Sequence, residues 1–518
     1  LPHYLDLMHD WVASHVLRAT LCALAGAPPS LPKRRGRNAK HKGQVGGGGA
    51  ADADKGAGPL TVGAAVSDKR REAFVAILED FAGMGVRDAQ ALVVDRHACA
   101  VLCVLVRLAA GLEGHNGGGG FGAAQNLVEH LLEWDRSKDA KGEAAEGNHV
   151  LVFLGMSGEV EGSHFLQVVL ECAGADDFAA IYSACMAGKL AEFAQHKISN
   201  YVVQSALRTA AARGTANLAA EMIGELLPYA AAMLERYAGV ALELCNLARA
   251  HAVQEEALVE ALAPAARGDA EGPAAVLDAM LQHEAPEAGA KPRPGSERSL
   301  RFRNVMKVQT LGVLLGGFNA GPVEGIIRAL LTEPEREELV RKLAFTAVSA
   351  KAIVEPLLLR KVDGAFVQER LVAIYEPIFV DMATHPCARH VLEKLFYASS
   401  KEQQESIAAA LATVLNRISG NRPGRLTVDA LKLQLFDKDR SAWRGQVRRH
   451  RQKLEGGAAP RGAGSRKRKE RDDEGDHAGD LDGIFAGADG AGPKKKKKKD
   501  KKDKKDKKKK RQQEADDD

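Results

Sequence analysis

Six short segments of the chain place polar and aromatic side chains at a spacing suited to gripping a flat, hydrogen-bonding ligand. They are Ala13–Arg18 (ASHVLR), Ala98–Cys103 (ACAVLC), Gly162–Gln167 (GSHFLQ), Ser199–Gln204 (SNYVVQ), Ala238–Glu243 (AGVALE) and Ala388–Glu393 (ARHVLE). Each opens on a small residue, continues through two variable positions to an apolar pair, and closes on a polar or variable position. On a helix the second and sixth positions are i and i+4, and the third lies three residues before the sixth, so all three share one face. That face is expected to be exposed, while the apolar pair, such as Val202 and Val203, turns toward a neighbouring helix. A ring at the third position can lie against a planar group while amides or hydroxyls beside it bond that group's edge. The small residue admits a close approach of the chain to its neighbour, and Ser or Asn just after it suits a helix N-terminal turn.

Helices are therefore what must position these triplets, and the rest of the sequence supplies them. Between its low-complexity blocks the text is rich in Ala, Leu, Val and Glu, with apolar residues at helical spacing, as in Phe74, Ile77, Leu78 and Phe81. The alternation of a sheet protein is almost absent. Gly162 to Ser199 is 37 residues and Ser199 to Ala238 is 39, whereas the remaining gaps are 85, 64 and 150 residues. The first two of those longer gaps contain Gly-rich inserts, and all leave room for degenerate units. A period in the high thirties in an all-α chain points to a solenoid of stacked helical repeats. The solenoid is expected over residues 1–455, with solvated low-complexity inserts near 28–54, 113–122, 137–147, 264–273 and 284–295.

Charge divides unevenly. The chain has 73 basic and 68 acidic side chains, of which 21 and 15 fall in residues 456–518, leaving 52 against 53 in everything before. The body is near neutral and the basic character is assigned to the tail, which argues against a uniformly basic clamp but permits a positive inner face balanced by an acidic outer one. Seven Cys with no C-x-x-C fit neither a disulfide framework nor a zinc ribbon. No run of about eighteen uncharged apolar residues spans a membrane and no leader is evident, so a soluble intracellular protein is expected. Leu1 in place of Met points to a fragment or an incomplete gene model. There is no P-loop, no G-x-S-x-G and no H-E-x-x-H. His385 and His390 lack a third ligand, and the Gly117–Gly122 run lacks the Lys of a phosphate loop. No enzyme activity, metal or cofactor is expected.

The six segments resemble the RNA-binding helices of the Pumilio (PUF) repeat family, and His196–Gln204 (HKISNYVVQ) is very similar to its consensus. The resemblance implies a right-handed superhelical solenoid whose repeats each offer two edge-reading side chains and one stacking side chain to a base. Carried over, Asn200 and Gln204 would read a uracil edge while Tyr201 stacks. Ser163 and Gln167 look like an adenine-reading pair, with His164 as stacker. Ser14, His15 and Arg18 keep the stacker but put Arg where Gln or Glu is usual. Arg389, His390 and Glu393 put Arg at the first edge position, which suits phosphate or a looser base contact. The triplets Cys99, Ala100, Cys103 and Gly239, Val240, Glu243 lack a stacking ring and are expected to hold the superhelix. Within the family, the few good readers, the long inserts and the tail resemble the nucleolar branch, most closely nucleolar protein 9 proteins. Segments Ala13–Arg18, Gly162–His164 and Phe302–Leu315 carry that likeness. It implies a nucleolar or nuclear protein that binds pre-ribosomal RNA and serves small-subunit rRNA maturation.

After Glu455 come Arg466–Lys469, an acidic patch containing Leu481, Ile484 and Phe485, and then Lys494 to Arg511. Such composition stays disordered and serves for nuclear import and non-specific phosphate binding. The apolar trio is a candidate for docking pre-ribosomal proteins. Two rival readings stay open: a protein-interaction scaffold gripping an extended peptide, and a cytoplasmic mRNA regulator on the same fold.

Overall fold

A computed structural model of the chain describes residues 2–27, 60, 67–114, 124–135, 148–263, 273–281, 296–319, 321–360 and 362–456. The five low-complexity blocks lie almost wholly outside these residues, and the Lys-rich tail with its acidic patch lies outside them after residue 456. Among the described residues every regular element is a helix and none is a strand. Contacts divide the chain after Leu454, and the fold described is that of the unit before it.

Among the described residues, nine helices of this unit stack side by side, each packed on the next. They are α1 (Trp11–Leu24), α2 (Arg96–Gly114), α3 (Val160–Cys172), α4 (Asn200–Arg213), α5 (Ala238–His251) and α6 (Ser296–Gly317). Next comes α7, a run through Ala347–Ser349, the π-helical turn Ala350–Val354 and Glu355–Leu359. Then follow α8 (Ala388–Ala398) and α9 (Arg422–Leu431). A second layer of shorter helices, among them Val86–Val94, Asn148–Gly158, Leu190–Gln195, Ala230–Arg236 and Phe379–Thr384, packs against α2, α3, α4, α5 and α8. This is the helical solenoid that the periodicity predicts. The six segments identified by sequence lie on α1 to α5 and α8, and the longest gap conceals α6 and α7.

The apolar pairs explain why the helices stack. Val101 and Leu102, Phe165 and Leu166, Val202 and Val203, and Val391 and Leu392 are all buried. Each such side chain contributes about 1.5–3 kcal/mol by leaving water. The small residue before them lets the chain double back tightly. A Cβ on Gly162 would lie 2.4 Å from the Met156 carbonyl oxygen, and one on Gly424 would lie 1.8 Å from that of Ile418.

The helix starts correct one expectation. The capping side chain is not the Ser or Asn after the small residue but an acceptor about three residues before it. Asp10 accepts from the amides of Val12 (2.9 Å) and Ala13 (2.7 Å), and Asp95 from those of His97 (2.9 Å) and Ala98 (2.8 Å). Asn421 accepts from Gly424 (2.7 Å) and Thr346 from Ser349 (3.3 Å). In two units an imidazole takes this role. His196 Nδ1 faces the amides of Ile198 and Ser199 at 3.4 and 3.2 Å, and His385 Nδ1 those of Cys387 and Ala388 at 3.2 and 3.3 Å. Residues in the second position already sit inside the first turn, where their side chains bond back to carbonyls instead. Ser14 donates to Trp11 (3.1 Å) and Ser163 to Val160 (2.8 Å).

Candidate nucleic-acid interface

The triplet on α4 is the best formed. Tyr201 stands 49% exposed beside the buried Asn200 and the half-buried Gln204. Asn200 donates its amide hydrogens to the carbonyls of His196 (2.8 Å) and Lys197 (2.9 Å), and its Oδ1 accepts from Gln204 Nε2 at 3.0 Å. Asn200 is thus anchored from below, and Gln204 keeps its carbonyl oxygen and one amide hydrogen for another partner. Behind Gln204 comes Gly239 of α5, where a Cβ would meet the Gln204 Oε1 at 2.7 Å. Only a glycine there lets the amide take this position, which gives Gly239 a role in the α4 site rather than in its own.

On α3 the arrangement repeats. His164 is exposed, Ser163 is buried and Gln167 donates to the Ser163 carbonyl at 3.1 Å. On α1 the half-buried His15 is tied to Arg18 by a 2.7 Å contact from Nη2 to Nδ1, and its ring meets Trp11 edge-on at 5.9 Å. Arg18 is further held by the Ser14 carbonyl at 3.3 Å. On α8 Arg389 and Glu393 lie 3.9 Å apart with side chains only 12% and 14% exposed. Arg389 is committed to that pair, and the neighbouring Lys394 is bound to Glu355 at 2.6 Å. Burial, reinforced by the charges of Arg389 and Lys394, pushes the His390 imidazole down to about 4. The free arm expected of Arg389 is therefore a neutralised pair in this state.

In five of the six triplets found by sequence the second residue is less accessible than a common exposed face would require. Ser14, Cys99, Ser163, Asn200 and Gly239 are all buried. Gly239 at this position abuts Gln204 of the preceding unit, Cys99 meets the Glu161 carbonyl of the following one, and exposure is left to the third position. On α5, where no ring stands there, the unit closes: Val240 is fully buried. Cys99 and Cys103 face each other with sulfurs 4.0 Å apart, and Cys99 also meets the Glu161 carbonyl at 3.2 Å.

Sequence reasoning missed three further units and one row of charges. On α7 the positions equivalent to the triplet are Lys351, Ala352 and Glu355, and on α9 they are Arg425, Leu426 and Asp429. Leu426 is 41% exposed where a ring stands elsewhere. By helical register they fall on α6 at Val305, Met306 and Gln309. The signal was present in Ala350 and Gly424 as small residues before Ile353–Val354 and Thr427–Val428, but no ring marked it. Three of the charges, Arg107, Glu171 and Arg208, lie eight residues beyond the second position and hence on the same side of each helix, and the row ends on Glu243, the sixth position of the α5 triplet. Arg107 of α2 meets Glu171 of α3 at 3.9 Å, Glu171 meets Arg208 of α4 at 3.3 Å, and Arg208 meets Glu243 of α5 at 3.2 Å. All four side chains are partly buried, and ion pairs near a surface add on the order of only 1 kcal/mol each. Their larger effect is to link four consecutive units edge to edge, fixing the step from one triplet to the next.

The chain was compared with known proteins on this basis. The family model of the NOP9-like PUF repeat domain matches residues 1–426. Among solved structures, the chain resembles that of APUM23–GGAAUUGACGG at a TM-score of 0.62 and 20% identity, covering 85% of this chain and 76% of that one. It resembles APUM23 lacking its insert region, with the same GGAAUUGACGG, at a TM-score of 0.63 and 20% identity, covering 87% and 75%. At this identity the likeness establishes the fold. No curated protein matches the chain in sequence. Stacked helices, recurring triplets and a family match over most of the chain place this protein in the NOP9-like group of the PUF family of RNA-binding repeat proteins.

Proposed function

We propose that the chain holds unpaired segments of pre-ribosomal RNA in the nucleolus, during processing of the small-subunit rRNA, and that it acts by binding rather than by catalysis. The observation that carries the reading is the α4 site, where a half-exposed phenol ring shares a helix turn with two amides bonded to each other. A base would lie on Tyr201 and meet Asn200 and Gln204 at its edge, with His164, Ser163 and Gln167 treating a neighbouring base in the same way. His15 with Ser14 and Arg18, and His390 with Arg389 and Glu393, form outlying sites that open only when their internal contacts yield. Stacking supplies about 1–3 kcal/mol per base, and backbone contacts add a salt-dependent share. Holding the RNA in this way would shield it from a nuclease or fix a fold until cleavage is due. The tail's basic runs would serve for nuclear import, and its apolar trio for contact with pre-ribosomal proteins.

Ultraviolet crosslinking in cells, followed by sequencing of the attached RNA, tests this reading. Reads concentrated in small-subunit precursor RNA support it. Reads concentrated in mRNA, with the protein in the cytoplasm whether or not the tail is present, replace it with the regulator reading. A shallow salt dependence with no RNA recovered replaces it with the peptide scaffold.

A further inference from the structure

The positive charge of the folded part is gathered at one end. Residues 417–455 contain 11 Lys and Arg and 4 Asp and Glu, which leaves 41 basic and 49 acidic residues in 1–416. A near-neutral body thus resolves into an acidic stack and a basic cap, and the cap begins where the family match is ending. The cap is built on α9 and on α10 (Arg440–Gly456). Trp443 and Val447 of α10 are buried, with Trp443 against Phe396 and Phe436 and its indole nitrogen donating to the Leu431 carbonyl at 2.9 Å. His450 lies 4.8 Å from the Tyr397 ring, so α10 crosses the C-terminal ends of α8 and α9. Asp439 caps its start through the amides of Ser441 and Ala442, both at 2.9 Å.

This packing turns the basic side chains outward. Arg417, Arg422, Arg425, Lys432, Lys438, Arg440, Arg444, Arg448 and Arg449 are all exposed. Arg444 is engaged by Glu405 at 2.7 and 2.9 Å, and Arg440 lies over Phe436. We propose that this cap is a second RNA-binding surface, which takes phosphates without regard to base and anchors the strand or stem flanking the bases held by the triplets. Seven of its nine exposed cations are Arg, whose planar fork matches phosphate in a bidentate way, in contrast to the Lys runs of the tail. A membrane surface is disfavoured by the same geometry. The apolar side of α10 is spent on Phe396, Phe436 and Leu431, and its exposed positions from Ser441 to Gln452 carry no large apolar side chain. The assignment rests on the RNA-binding reading above but, apart from Arg425 at the second triplet position of α9, on different residues.

The test is a salt titration of the full chain against a single-stranded RNA and a stem-loop RNA, comparing wild type, the set R422Q/R425Q/R448Q/R449Q, the matching set of Arg→Lys changes, and N200A/Y201A/Q204A. Each phosphate contact contributes about 0.7–0.9 to the slope of log affinity against log salt, so the Gln set should lower the slope by about 3 with base preference intact. The Lys set should keep most of the slope, which separates charge from a folding defect. The triple variant should lose base preference and keep the slope; if it changes nothing while the Gln set acts, the triplet reading fails and the cap stands. An unchanged slope in the Gln set, or equal loss of binding to vesicles of anionic lipid or to an acidic peptide, overturns the proposal.

Discussion

Replacing Tyr201 by Ala separates binding from folding more cleanly than any other single change. The ring is half exposed and its neighbours Val202 and Val203 carry the packing, so the substitution removes little buried area. Exposed substitutions of this kind shift stability by no more than about 0.5 kcal/mol. The bound state loses a stacking platform worth about 1–3 kcal/mol, which corresponds to roughly 5- to 150-fold in Kd. Tyr201→Phe should retain most of the affinity, because the contact needs the ring and not the hydroxyl. Fluorescence anisotropy with a labelled uridine-containing RNA, at two salt concentrations and with thermal melts of each variant, supplies the comparison. Affinity for Tyr201→Ala within twofold of wild type at both salts, with unchanged melting, would refute the assignment of the ring to stacking.

Other consequences follow from the same geometry. Gly162→Ala forces a Cβ toward the Met156 carbonyl and should cost about 1–3 kcal/mol, read as a lowered denaturation midpoint, whereas the exposed Gly155, with nothing within 4 Å, should accept Ala. Asp95→Ala removes the acceptor of two amides and should destabilise by about 1 kcal/mol, with Asp95→Asn recovering most of it. The folded chain holds His390 neutral down to about pH 4, while the unfolded chain takes that proton near the ordinary value of 6.5. Stability from this group is therefore complete above pH 6.5 and is lost as the pH falls toward 4. His390→Gln should flatten that limb of a plot of stability against pH, and an identical limb would contradict the assignment. Gly239→Ala should weaken RNA binding at the α4 site by displacing Gln204, with base preference at other positions unaffected.

Much of the architecture could be read before any coordinates because a repeat writes its packing into adjacent letters. The buried pairs Val202–Val203 and Phe165–Leu166 follow a small residue wherever two helices must approach, so five consecutive inner helices and α8 were visible. The α6, α7 and α9 units were not, because Met306, Ala352 and Leu426 stand where a ring would have drawn attention. The site was less legible than the fold. Sequence spacing placed Asn200, Tyr201 and Gln204 on one helix face, yet Asn200 is buried, turned back onto the His196 and Lys197 carbonyls, while Tyr201 is left open. Caps at Asp95, His196 and His385 escaped notice since they precede the motif, and a capping histidine has no distinctive spacing. The contact of Arg208 with both Glu171 and Glu243 joins residues more than thirty apart, which no local pattern reveals. The basic cap was hidden by summation: one acidic stretch and one basic stretch cancelled in the total.

The most direct measurement is photocrosslinking of the purified full chain to RNA carrying 4-thiouridine, with the attached peptides identified by mass spectrometry. Adducts on α4 at Tyr201 and on α3 at His164, lost on competition with unlabelled RNA, are the predicted result. Adducts confined to the second-layer helices or to the Lys-rich tail, with none on α3 or α4, would contradict it.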